Sequence, residues 1–168
     1  MKLIKTLLTI LFISLLSSPS WSVTLDDLVK REGIFYQKFT DVPFNGRVTG
    51  EEKRLLREKG SFKNGVKDGA WGIYYETGQV YRKGHFKNAK KEGLWVSYWG
   101  NGQLSYKGNY KNDKEEDAWV GYHENGQLWW KGNYKNGQQE GAWVAYLKDG
   151  TVNKKDTGTF KDGVKISD

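Results

Sequence analysis

A chain of 168 residues with net charge +7, 15% aromatic residues and no cysteine has room for one ordinary domain. The missing cysteine excludes a disulfide framework, a thiolate metal site and a cysteine nucleophile. The charge is below what phosphate-tracking domains carry, which argues against nucleic acid as a partner.

The first 22 residues read as a secretory signal peptide. Lys2 and Lys5 precede an apolar run from Leu7 to Leu16, and Ser20, Trp21 and Ser22 form a small-residue site before Val23, with cleavage expected after Ser22. The apolar run is shorter than the roughly 20 residues a membrane span needs. Cleavage removes two lysines and no acid, leaving +5, and places the protein in the periplasm or outside the cell. With no disulfide available there, packing and strand pairing must hold the domain. Residues 23 to 38 either cap the first repeat or carry the specificity of the protein; Leu25, Leu28 and Val29 give them the only helical apolar spacing beyond the leader.

From there the chain restates one unit. Trp71, Trp95, Trp119 and Trp143 lie 24 residues apart, as do Tyr74, Tyr98, Tyr122 and Tyr146. The glycines Gly78, Gly102, Gly126 and Gly150, and the pairs Lys83-Gly84, Lys107-Gly108 and Lys131-Gly132, keep the same phase. A worn repeat thus occupies residues 39 to 62, followed by repeats at 63 to 86, 87 to 110, 111 to 134 and 135 to 160, the last with two extra residues, and by a closing strand at 161 to 168.

Each unit has the marks of a β-hairpin. Two aromatic-rich runs flank Asn-Gly at Asn101-Gly102 and Asn125-Gly126, and Asn64-Gly65 and Asn136-Gly137 recur at the links, so the chain reverses about every 12 residues. In the third repeat, alternation puts Ala118, Val120 and Tyr122 on one face and Trp119, Gly121 and His123 on the other; Leu128, Trp130, Gly132 and Tyr134 share a face. Large apolar groups on both faces argue against a sandwich. The expected fold is all-β: an elongated meander of repeated hairpins in a single-layer or shallowly curled sheet, with Gly84, Gly108 and Gly132 lying under aromatic rings.

The pattern of acidic-Gly-x-Trp, Tyr, Asn-Gly-Gln-Leu and Lys-Gly-x-Tyr-Lys-Asn-Gly resembles the bacterial variant of the MORN repeat, as found in YwqK-like antitoxins. The resemblance covers residues 63 to 160 well and 39 to 62 weakly. It implies a hairpin array that binds a protein or sits near a membrane, with no catalytic residues and no cofactor. The chain departs from the pattern where Ala89 and Asp113 replace the turn glycine of Gly65 and Gly137, and where Asp117 replaces that of Gly69, Gly93 and Gly141. Such turns must hold a less comfortable backbone or change type. A signal peptide also conflicts with neutralising a cytoplasmic toxin, whereas immunity against a toxin acting in the envelope remains compatible with it.

Nothing in the residue pattern converges on catalysis. His85 and His123 lie in different strands of different repeats without ligand spacing, and read as solvated or ladder-packed. The column Asp68, Glu92, Glu116 and Glu140 recurs in every unit, which an active site does not need. Two lysine columns carry more: Lys59, Lys83, Lys107 and Lys131 on a strand, and Lys63, Lys87, Lys111, Lys135 and Lys161 at a turn. They form either a solvated face offsetting the acidic column or a track, with a step of about 10 Å, for a polyanion or anionic lipid. The repeated tryptophans read as a structural ladder, whereas Trp99, Trp129 and Trp130 fall off the repeated positions and are the expected contacts, with Trp129 and Trp130 on opposite faces. The expected function is an exported, non-enzymatic scaffold binding a protein partner in the cell envelope through Trp99, Trp129, Trp130, Lys83, Lys107 and Lys131. The alternative is a module for a membrane surface or wall glycan.

Overall fold

The computed structural model describes residues 23 to 52 and 56 to 168; the signal-peptide reading of residues 1 to 22 lies outside the described residues. The described chain is almost entirely strand. β1 (Val23–Thr24), β2 (Leu28–Arg31) and β3 (Ile34–Gln37) precede the repeats. The worn repeat supplies β4 (Gly46–Glu52) and β5 (Leu56–Lys63), followed by the short β6 (Val66–Lys67) and then β7 (Gly69–Tyr75). The clear repeats continue with β8 (Val80–Lys87), β9 (Lys90–Tyr98), β10 (Leu104–Lys111), β11 (Lys114–Tyr122), β12 (Leu128–Lys135) and β13 (Gln138–Ala145). β14 (Gly158–Lys161) and β15 (Val164–Ser167) close the chain. Leu25 belongs to a single 3-10 turn, Leu25–Asp27, capped by the Thr24 and Asp27 side chains, while Leu28 and Val29 are in strand β2.

Thirteen strands form one sheet in chain order from β4 to β15, with β1 added in parallel to β4 and β6 attached to β5. The meander expected from the sequence is therefore the fold, and its architecture is an open, single-layer array of hairpins.

Two turn types alternate along it, although both carry Asn-Gly. At the links, Asn64-Gly65, Asn112-Asp113 and Asn136-Gly137 hold φ values of 50 and 72, 52 and 69, and 52 and 84 degrees, the left-handed pair of a type I′ turn. Ala89 and Asp113 therefore keep the type I′ geometry at φ 65 and 69 degrees, and Asp117 keeps its glycine-like backbone at φ 59 degrees. At the opposite edge only the glycine is left-handed, as at Gly102, whose N–H donates to the Trp99 carbonyl at 2.9 Å while Trp99 N–H donates to Gln103. That is a three-residue turn closed by a glycine bulge.

The core is a ladder of rings on one face, the tryptophan face. Trp71, Trp95, Trp119 and Trp143 are 2 to 5% exposed. They alternate edge-on with Phe62, Phe86, Tyr110, Tyr134 and Phe160, ring centroids 4.9 to 6.3 Å apart. Each such pair adds about 0.5–1.5 kcal/mol beyond its area burial. Glycine lies beneath each indole as expected: a Cβ on Gly84, Gly108 or Gly132 would sit 2.0 to 2.2 Å from the Trp95, Trp119 or Trp143 ring. The Trp95, Trp119 and Trp143 N–H groups donate to the His85, Asn109 and Asn133 carbonyls at 2.9 to 3.1 Å, locking each ring over the neighbouring strand.

The first repeat is covered by what precedes it. Leu28 and Phe44 join Val48, Phe62 and Trp71 in a buried cluster, with Phe35 packed against Phe62 at 5.0 Å. Phe35 N–H donates to the Gly65 carbonyl and Gly65 N–H to the Phe44 carbonyl, both at 2.8 Å, so the β2–β3 hairpin is tied to the first type I′ turn.

Candidate binding site

The acidic column at the type I′ edge is structural. Asp68, Glu92, Glu116 and Glu140 accept from the backbone N–H of Asn88, Asn112, Asn136 and Asp162, the first turn residue of the following unit, at 2.8 to 3.1 Å. Each carboxylate thus satisfies a turn amide one unit further along. Backbone bonds run beside it, from Ala89 N–H to the Lys67 carbonyl and from Asp113 N–H to the Lys91 carbonyl, at 2.8 and 3.1 Å.

The other edge carries a second column that residue identity conceals. The Tyr75 hydroxyl, the Trp99 indole N–H and the His123 Nε2 reach the carbonyls of Tyr98, Tyr122 and Tyr146 at 3.3, 2.9 and 2.9 Å. Trp99 is therefore on a repeated position, and its polar atom is committed to the next unit. The premise that no repeat requirement explains it is corrected, because three chemically different donors do one job. His123 is buried and stacked on Trp129 at 5.4 Å, which fits the ladder-packed reading, whereas His85 is exposed on the opposite face.

Trp129 and Trp130 do not point to opposite faces. The register breaks between the Gly121–Trp130 and Tyr122–Leu128 pairs, leaving Trp129 as the extra residue of a bulge. The slip moves Leu128 to the Tyr122 side and brings both tryptophans to one cleft of about 440 Å³ on the tryptophan face, with Tyr134, Phe160, Lys155 and Lys165. Trp130 stacks on Trp143 at 5.4 Å, and Trp129 is 44% exposed.

The lysine column is on the other face. Strand register sets Lys59 opposite Gly72, Gly72 opposite Lys83, Lys83 opposite Val96, and Val96 opposite Lys107. The row continues through Val120 and Lys131 to Val144. Lysine and a small or branched apolar residue thus alternate across eight strands. Beside this row, two residues along each strand, stand the half-buried Tyr74, Tyr98, Tyr122 and Tyr146; Lys59 and Lys83 lean over Tyr74 and Tyr98 at 5.4 and 5.9 Å from the ring centres. On the far side lie Ala70, Leu94, Ala118 and Ala142, all exposed, Leu94 at 55%. The result is a trough in two contiguous stretches of about 850 and 590 Å³ that meet at Leu94. The six expected contact residues are hence distributed over three places: Lys83, Lys107 and Lys131 in this trough, Trp129 and Trp130 behind it, and Trp99 at the turn edge.

Ionisation separates the faces further. Burial, reinforced by Arg82, lowers the pKa of Lys91, whose Nζ lies 4.6 Å from the Tyr110 ring centre and which belongs to the tryptophan face. Burial pushes the Tyr110 hydroxyl far above its ordinary value, and the neighbouring Glu115 carboxylate adds to the shift; Tyr134 is raised for the same two reasons. Among the described residues no cluster of His, Cys, Asp or Glu is arranged to hold a metal ion.

Fold and face together define an open array of β-hairpin repeats with one face packed by a ladder of aromatic rings and the other carrying a basic trough with a row of tyrosines beside it. Three stretches of the chain, residues 67–88, 91–112 and 118–136, match the family model of the MORN repeat variant. No curated protein matches the chain. The matched repeats supply the lysine row from Lys83 to Lys131 and support a scaffold built for binding.

Proposed function

We propose that this protein is an exported, non-catalytic scaffold that holds a partner protein in the cell envelope on its lysine face. The observation that carries the reading is the lysine–valine row. The repeated rings of the tryptophan face are spent on the core ladder, whereas exposed lysines, a half-buried tyrosine row and Leu94 lie together on the lysine face. Leu94, 55% exposed, lines both stretches of the trough together with Lys59, Lys83, Lys107 and Lys131, so apolar and basic groups share one open surface. The Lys2-to-Ser22 pattern supports the exported location, and immunity against an envelope-acting toxin is the form of partner binding that the sequence resemblance suggests.

The test uses the exported protein as bait in native envelope extract, beside a variant carrying Lys83→Ala, Lys107→Ala and Lys131→Ala. One stoichiometric partner protein, retained by the parent and lost from a folded variant, is the expected result. A partner retained equally by both would overturn the assignment to this face. An empty bait that binds isolated membrane or wall instead would replace a protein partner by lipid or glycan.

A further inference from the structure

The partner's chemistry can be narrowed further by the step of the lysine row, an inference that rests on the scaffold reading above. Lysines occupy every second strand, so with strands about 4.8 Å apart their Cα atoms repeat at about 9.6 Å along the array. The four from Lys59 to Lys131 span three steps in one row, all on the same side of the sheet.

A bound chain running along that row must present its own charges at the same step and toward the same side. A β-strand fails. Residues on one side of it recur at about 6.7 Å and then at about 13.4 Å, and neither matches. An α-helix comes closer, because seven residues advance about 10.5 Å, but it runs ahead of the row by about 3 Å over three steps. A polyproline-II helix turns once in three residues and advances about 9.3 Å per turn, so every third side chain faces the same way and the mismatch over three steps is about 1 Å.

The rest of the trough suits that backbone. Pro-rich polyproline-II segments dock in aromatic-lined grooves, and Tyr74, Tyr98, Tyr122 and Tyr146 form an aromatic row on the same face, two residues along their strands from the lysine row, with Tyr74 itself lining the trough. Between successive lysines sit Gly72, Val96 and Val120, with Val144 following Lys131, apolar seats for the two residues of each turn that carry no charge. The acidic column is set apart from the row. It lies toward the type I′ edge, with one oxygen of each carboxylate held by a turn N–H.

We propose that the lysine face binds an extended polyproline-II segment of a partner protein that carries an acidic side chain at every third residue.

Two synthetic peptides of identical composition test this. In one, six Glu-Pro-Pro triplets repeat; in the other, the six glutamates are contiguous and flanked by prolines. Fluorescence anisotropy against the full exported protein at physiological salt should show the triplet peptide binding about tenfold more tightly, a difference of about 1.4 kcal/mol. The Lys83→Ala, Lys107→Ala, Lys131→Ala variant should lose that preference, with its fold checked by circular dichroism, while Trp129→Ala, behind the sheet, should keep it. Equal, lysine-dependent binding of both peptides would overturn the three-residue register and leave the scaffold reading standing. Binding of neither peptide, with the captured partner still lost from the lysine variant, would overturn the acidic segment alone. Lysine-dependent binding of phosphatidylserine vesicles without peptide binding would overturn both readings in favour of a membrane surface.

Discussion

Asp117 holds a left-handed backbone at φ 59 degrees where the matching positions of other units are Gly69, Gly93 and Gly141. A non-glycine residue there costs about 1–2 kcal/mol, and glycine recovers part of that while loosening the unfolded chain. Asp117→Gly should therefore raise the urea midpoint by an increment worth about 0.5–1 kcal/mol. Asp113→Gly should gain less or nothing, because the Asp113 carboxylate accepts the Lys91 N–H at 2.7 Å and that bond is lost with the side chain. A larger gain at 113 than at 117 would show that the bond does not offset the strain. Tyr110 supplies a second residue-level test. Its folded pKa is raised above its ordinary value near 10, so its contribution to stability is complete below about pH 10 and is lost as pH rises toward the folded value. Stability measured from pH 8 upward should fall beyond about pH 10, and Tyr110→Phe, which keeps the ring in the ladder, should make that fall shallower. An unchanged slope would mean that the hydroxyl ionises as freely in the fold as out of it.

At the scale of the hairpin, units are joined by more than strand pairing, and the edge column of Tyr75, Trp99 and His123 is the clearest join. Trp99→Phe keeps an aromatic ring and removes only the N–H that reaches the Tyr122 carbonyl, so it should cost about 1 kcal/mol in equilibrium unfolding. A neutral result would mean that water replaces the bond at no cost. This column also marks the limit of what the sequence discloses. The hairpins, their turns and the Trp-over-Gly packing could be read directly, because identical residues recur wherever sterics admit one solution: only glycine fits beneath the Trp119 ring. The edge column escaped because tyrosine, tryptophan and histidine donate equally well to a carbonyl. The position of Trp129 escaped for a different reason. A bulge shifts register by one residue and moves every following side chain to the other face, and nothing in the run Leu128-Trp129-Trp130 announces where the extra residue falls. Of the candidate site, the lysine row was therefore legible as a column, while its separation from Trp129 and Trp130 was not.

Over the whole molecule, the sheet is a one-dimensional stack in which each unit touches only its neighbours, with the ladder as the continuous link. In such an array stability is a sum of unit and nearest-neighbour terms, so damage should stay local until an interface fails. Trp119 is the test position. It is 4% exposed and packs edge-on against Tyr110 and Tyr134, so Trp119→Ala should cost about 3–5 kcal/mol where it acts. Native-state hydrogen exchange should then show lost protection in β10, β11 and β12. Amides of β4 and β5, secured at the far end by the cluster of Leu28, Phe44, Val48 and Phe62, should keep theirs. The gradient should also have a direction: β14 and β15 lie beyond the lesion on short strands, with Val164 and Ile166 more than 60% exposed, and should open with it. Equal loss of protection at β4 and at β11 would overturn the nearest-neighbour picture and mean that the ring ladder couples the sheet from end to end into one cooperative unit.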